Sequence, residues 1–141
     1  SGRRRRNCRM QEFELDNRVV SLPDAHDTFP RIQSLADDSG CLCVRFDVST
    51  EMDWFRGHFP GQPVLPGVVQ LHWAVLVATA CFDVSGVPTE IKRLKFKKVF
   101  TPPQSLELTL QMRGPSEAQF RFSHADDQYS EGRLVFASDA A

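Results

Sequence analysis

Two histidines fourteen positions apart, His58 and His72, stand on either side of a glycine, Gly67, that follows a proline. His58 belongs to the loop GHFPGQPVLPG, residues 57–67, and His72 to the apolar stretch VVQLHWAVLVATACF that follows it. An imidazole titrates near neutrality, so a histidine held by prolines and glycines suits acid–base chemistry. The plainer alternative for a lone loop histidine is a structural hydrogen bond to backbone. Pro66-Gly67 opens the apolar stretch, which reads as about four turns of helix. A helix start presents unsatisfied N–H groups and the positive end of the dipole, both of which favour negative charge developing on an oxygen. Glycine at that point lets a reacting group approach the backbone closely. His72 lies in the first turns among Val, Leu, Ala and Trp, where a polar ring is costly unless it has a partner or a task. It is either a second proton-transfer group or a buried ring bonded to a nearby carbonyl.

These residues need a scaffold, and the pattern of the chain supplies one. Val68, Val69, Leu71, Trp73, Ala74, Val75, Leu76, Val77, Ala78, Ala80 and Phe82 surround the helix axis, so the helix is expected to be buried and wrapped on most sides. With roughly 16 residues and the markers Gln70 and His72 it is too short to span a bilayer. Before it, Gln11–Ser21 can hold a short strand, 22–30 (LPDAHDTFP) reads as a turn-rich loop, and Ile32–Leu35 as a short helical turn. Asp37-Asp38-Ser39-Gly40 forms a turn. Cys41–Val48 alternates strictly, with Leu42, Val44, Phe46 and Val48 on the apolar face. After the helix come Ile91–Thr101, broken by Pro102-Pro103, then Leu106–Met112, Ala118–Phe122 and Tyr129–Ala137, all in period two. One buried helix and a sheet of this size can bury each other only if the sheet curls round the helix. The expected class is α+β, an antiparallel sheet wrapped round one long central helix. Residues 1–10 are expected to be a disordered basic tail and 11–141 a single domain.

A chain of 141 residues has room for one moderate core, and its 17 Lys/Arg nearly balance its 18 Asp/Glu. Arg3, Arg4, Arg5, Arg6 and Arg9 hide an asymmetry: from residue 11 onward twelve basic side chains face eighteen acidic ones. Five of those twelve, Lys92, Arg93, Lys95, Lys97 and Lys98, crowd into one strand, with Arg93, Lys95 and Lys97 expected on the face opposite Leu94, Phe96 and Phe100. An acidic body with one basic strand favours a localised acidic partner and disfavours nucleic acid. Cys8, Cys41, Cys43 and Cys81 lack the spacing of zinc or redox sites and read as reduced thiols. His26 between Asp24 and Asp27 has no third cluster of ligands, so no metal site is expected. Trp54 and Phe55 read as packing residues. No signal-peptide pattern follows the arginines, which points to the cytoplasm, with no membrane insertion.

The loop and helix resemble the active-site segment of the hotdog-fold 3-hydroxyacyl-(acyl carrier protein) dehydratases of bacterial fatty acid synthesis, whose pattern is G-H-F-x-x-x-P-x-x-P-G with an acidic residue five positions later. His58, Phe59, Pro60, Pro63, Pro66 and Gly67 match that pattern, and PVLPGVVQLHWA looks closest to the branch found with aryl-polyene lipid biosynthesis. Two departures stand out: His72 occupies the acidic position, and Pro102-Pro103-Gln104 replaces the usual Pro-Gly-Asp. The likeness covers roughly residues 40–137. It implies a hotdog fold and a cofactor-free dehydratase with His58 as base and Gly67 polarising the substrate carbonyl. Val64 would orient His58, and Phe59 and Pro66 would contact the substrate. His72 would face the substrate hydroxyl from the opposite subunit of a homodimer. The basic strand would dock an acyl carrier protein. A non-catalytic acyl-binding relative of the same fold is the alternative, and a thioesterase of the fold a more distant one.

Overall fold

The alternating segments all form strands, and they pair into one sheet whose apolar face closes on the helix. The computed structural model describes residues 10–15, 18–24, 28–49, 64–82, 84, 87–102 and 104–137. In chain order they form β1 (Met10–Leu15), β2 (Arg18–Pro23), β3 (Arg31–Asp38), β4 (Cys41–Val48), α1 (Gly67–Cys81), β5 (Pro88–Phe96), β6 (Gln104–Met112), β7 (Glu117–His124) and β8 (Asp127–Phe136). Strands β1 and β2 make a hairpin, and the other six form an antiparallel sheet in the order β3-β4-β6-β7-β8-β5. Leu42, Val44, Phe46 and Val48 of β4 lie beside Leu106, Leu108 and Leu110 of β6, and these lie beside Phe120 and Phe122 of β7. All are buried. The opposite face of β4 carries Cys43, Arg45 and Asp47 in solvent, and Arg45 pairs there with Glu107.

The helix buries Val69, Gln70, Trp73, Ala74, Val77, Ala78 and Cys81. Those positions recur at helical spacing and form one stripe toward the sheet. Trp73 is fully enclosed; its indole N–H donates to the Thr28 carbonyl at 3.0 Å. Its ring meets Phe46 at 5.7 Å and Phe29 at 6.3 Å between centroids. The opposite side of the helix is less enclosed than its composition suggests: Val68 and His72 are exposed, and Leu71, Val75 and Leu76 are half-buried. Apolarity all round the axis therefore does not translate into burial all round within one chain.

Four further expectations are corrected. Ile32–Leu35 is not a helical turn but part of β3, because Ile32, Leu35 and their neighbours pair with β4; sheet pairing overrides local propensity. Residues 11–21 hold most of a hairpin, not a single strand, and β1 begins at Met10, one residue inside the segment read as a tail. Leu22 and Phe29, read as loop, are buried core residues. The strand read as Ile91–Thr101 ends at Phe96, and its alternation fails at Arg93, where φ is +53° and the pairing with β8 shifts. The turn at residues 37–40 forms as expected: Gly40, at φ +86°, donates its N–H to the Asp37 carboxylate at 3.1 Å. His26, Trp54, Phe55, Cys8 and the arginine run lie outside the described residues.

Candidate active site

The site is built around the first turn of α1. Pro66 occupies the N-cap in an extended conformation, and no side chain caps the helix. The Pro66 carbonyl accepts from the N–H groups of Val69 (3.1 Å) and Gln70 (3.3 Å). Among the described residues nothing accepts from the N–H of Gly67 or Val68. Such orphan donors at a helix start form a small positive site. The approach to the helix is anchored by Leu65, whose N–H donates to the Phe100 carbonyl at 3.0 Å.

A cavity of about 410 Å³ opens at this helix start, walled by Val64, Gly67, Val68, Phe96, Val99 and Tyr129, with Lys97 and Lys98 contributing to its lining. A methyl carbon added at Gly67 would stand 2.5 Å from ring carbons of Phe96. A side chain at this position would have to push the Phe96 ring off the helix start, a contact that the sequence did not disclose. Phe96 itself remains half exposed, at 52%.

Beneath the cavity lies a buried polar bridge. Gln70 and Ser130 are enclosed at 2% and 1% exposure, the two polar residues found buried among the described ones. The Ser130 hydroxyl donates to Gln70 Oε1 at 2.6 Å, and Gln70 Nε2 donates to the Leu65 carbonyl at 3.4 Å. Helix, pre-helix loop and strand β8 are tied together at the residues next to Pro66-Gly67. Buried polar groups are tolerated only when paired, so this trio locks the position of the helix start. Sequence reading noted Gln70 only as a polar marker in an apolar helix; its partner Ser130 carries no local signal.

His72 stands exposed on the helix surface, with no hydrogen-bond partner among the described residues, and it does not line the cavity at Gly67. A buried ring bonded to a carbonyl is therefore not what the chain builds there. Within one chain Gly67, Val64 and Pro66 come together, and His72 points elsewhere. His58 and Phe59 lie outside the described residues. In the basic segment, Lys92 approaches Glu117 at 3.9 Å, Lys97 pairs with Glu131 at 3.3 Å and Lys98 with Asp127 at 2.7 Å. The hydrogen bond to Asp127 raises the pKa of Lys98. Arg93 and Lys95 make no ion pair among the described residues and line a depression on the outer face with Gln119, Glu131 and Arg133, Glu131 standing opposite Lys95 in the pairing of β5 with β8. Cys41 and Cys43 are free thiols; burial, then the neighbouring Cys41, pushes the Cys43 thiol up. Among the described residues no three metal-ligating side chains cluster, and no helix is long and apolar enough to cross a membrane.

A model of the ApeI-like dehydratases, described as ApeI dehydratase, matches residues 34–133. The chain belongs to this family. As an ApeI-like dehydratase it is a hydro-lyase of the hotdog fold. Its relatives include the 3-hydroxyacyl-(acyl-carrier-protein) dehydratase FabZ of Chloroflexus aggregans, 33% identical over 103 residues that span 64% of this chain and 70% of that protein. The enzyme of the same name from Syntrophotalea carbinolica is 30% identical over 113 residues, 74% of this chain and 75% of that one. Among solved structures, the dehydratase heterocomplex ApeI:P of Xenorhabdus doucetiae matches with TM-score 0.70 and 26% identity, covering 78% of this chain and 99% of the other. A dehydratase domain of a mycocerosic acid synthase-like polyketide synthase, at 19% identity and TM-score 0.64, shares the fold over 84% of this chain and 42% of that one. The hairpin β1–β2 precedes the stretch that the ApeI-like family model matches.

Proposed function

We propose that this ApeI-like dehydratase removes water from a 3-hydroxyacyl thioester carried on an acyl carrier protein, giving the trans-2-enoyl thioester, in fatty acid or aryl-polyene synthesis. The observation that carries the proposal is the uncapped start of α1, whose free Gly67 and Val68 N–H groups open on a mainly apolar cavity. An acyl chain suits such walls, and a thioester oxygen gaining negative charge suits such donors. His58 takes the proton from the carbon next to the carbonyl, and the electron pair moves onto the thioester oxygen, held at Gly67. As the pair returns, the carbon–oxygen bond at C3 breaks. The departing hydroxide takes a proton from His72 of the opposite subunit and leaves as water. Return of the proton from His58 to His72 closes the cycle. Val64 orients His58, and Phe59 and Pro66 contact the acyl chain.

The exposure of His72, away from its own chain's cavity, supports a site completed by a second copy. So does strand β5, which ends the sheet with Ile91, Leu94 and Phe96 exposed; an apolar open edge favours strand pairing. The reading is a homodimer in the cytoplasm with one sheet continuous across both copies. Its structural relative is a dehydratase heterocomplex, which makes a different chain in place of the second copy the competing outcome of the test. Arg93 and Lys95, which make no ion pair among the described residues, form the centre of the carrier-protein dock, with Lys92, Lys97 and Lys98 around them.

Purified protein is mixed with 3-hydroxyacyl and enoyl thioesters, and mass spectrometry follows interconversion in both directions. Turnover that His58→Ala abolishes without unfolding the chain, and that His72→Glu preserves or raises, supports the assignment. Binding without interconversion makes the chain an acyl-binding relative instead.

A further inference from the structure

The bulge in β8 places a second kind of donor in the same cavity. Phe122 pairs with Ser130, but the next pair is Ser123 with Gln128, so Tyr129 is the extra residue on its strand. A bulge breaks the strict alternation of a strand and re-aims a side chain. Tyr129 and Ser130, although consecutive, are both buried, at 4% and 1% exposure. Ser130 reaches Gln70; Tyr129 lines the cavity at Gly67.

The tyrosine is held firmly everywhere except at its tip. Its ring stands edge-on to Phe100, with 5.1 Å between centroids. Its carbonyl accepts the N–H groups of Lys97 (2.8 Å) and Lys98 (3.4 Å), two residues of the same wall. Its hydroxyl has no hydrogen-bond partner among the described residues. Yet no side-chain polar atom among the described residues is both sealed from solvent and unpaired. Tyr129 is a lining residue of the cavity at Gly67, the open space that this side chain borders.

We propose that the Tyr129 hydroxyl is a substrate-facing hydrogen-bond donor of this site, gripping the thioester oxygen together with the N–H groups that open α1. A hydroxyl that only water completes in the free protein can exchange that water for an oxygen of the ligand. A helix start with two idle donors, facing the same 410 Å³ space, is the second half of such a grip. Burial, the largest influence on this phenol, raises its pKa, so it stays protonated and able to donate throughout the neutral range. Tyr129 transfers no proton in this role; it stabilises charge on the oxygen while His58 works.

The inference rests on the dehydratase reading, and the experiment separates the two. Tyr129 is the one tyrosine in the chain, so ¹³Cζ-tyrosine labelling of the full-length protein gives a single resonance that reports on this hydroxyl. Saturation with crotonyl-pantetheine, monitored in parallel by calorimetry, should move that resonance. Tyr129→Phe keeps the ring on Phe100 and deletes a hydroxyl with no partner among the described residues, so its melting temperature should match the wild type. Its kcat should fall about 100–1,000-fold with KM little changed, as for loss of one oxyanion donor. Binding of the probe with an unmoved resonance, or Tyr129→Phe turnover within about twofold of wild type, overturns the proposal and leaves the dehydratase reading intact. A moved resonance in a protein that turns nothing over upholds the Tyr129 contact and rejects the dehydratase reading.

Discussion

The two edges of the six-stranded sheet are built differently. Strand β3, at one edge, carries Gln33, Ser34, Ala36, Asp37 and Asp38 in solvent, slips register between Ile32 and Ser34, and lends the Ile32 N–H to the Gln11 side chain of the hairpin. Strand β5, at the other, exposes Ile91, Leu94 and Phe96, with Val99 exposed just beyond its end. Both edges carry charge and slip register, but β3 is also met by the hairpin, whereas β5 leaves Ile91, Leu94 and Phe96 uncovered, and an uncovered edge with apolar side chains invites pairing. The cavity also lies on the β5 side, where Phe96, Lys97, Lys98, Val99 and Tyr129 meet the start of α1. The lesson is that one flank closes the fold and the other is left for function, so perturbations of equal size should have unequal effects on the two.

The largest expected asymmetry is in assembly. Ile91→Asp with Leu94→Asp on β5 should dissociate the protein, weakening association at least about 100-fold and abolishing turnover. Ser34→Lys on β3 should change neither. Sedimentation velocity across a dilution series reads the difference directly; dissociation by the β3 change, or none by the β5 pair, reverses the assignment of edges.

Next comes the polar bridge under the cavity. Gln70→Leu leaves the Ser130 hydroxyl and the Leu65 carbonyl without their partner and should cost about 1–3 kcal/mol in urea unfolding. Adding Ser130→Ala should recover part of that loss, since an apolar pair needs no partners. Turnover should remain low in both variants, because neither holds the loop ahead of Gly67. Full activity in the double variant would reduce the bridge to packing.

A smaller effect is expected on the outer face of β5. Arg93→Glu with Lys95→Glu should lower activity on carrier-bound substrate several-fold at low salt, less at high salt, and leave small thioesters unaffected. Equal losses on both substrates would place the damage in the fold or the edge, not in docking.

Smallest is a titration at Tyr129. Because burial raises its pKa in the folded chain, the folded state disfavours the phenolate. Any stability linked to the neutral phenol is fully present below the unfolded value near 10 and is lost as pH rises through the folded one. Ultraviolet titration of this sole tyrosine should therefore invert above pH 10, and denaturation should bring the midpoint back down.

Much of this was legible in the residues. The runs Cys41–Val48, Leu106–Met112 and Ala118–Phe122 alternate so strictly that only a half-buried strand satisfies them, and each forms one. Pro66-Gly67 marked the first residue of the helix. The motif likewise indicated a dehydratase family, to which the chain belongs. Ile32–Leu35 was not legible, because four residues of mixed polarity become a strand only through pairing with β4. Nor was the hairpin β1–β2, or Phe29, which a loop delivers into the cluster of Phe46 and Trp73.

The sequence by itself determined the fold class, the element order after residue 40 and the place of the helix start, because period and turn chemistry act over a few neighbouring residues. Only the tertiary structure decided that Gly67 lies under Phe96 and that Gln70 meets Ser130 across 60 residues. It alone turned His72 outward and Tyr129 toward the cavity. Those facts depend on a bulge and on which strands end the sheet. Register and edge position are properties of the paired sheet and belong to no single strand.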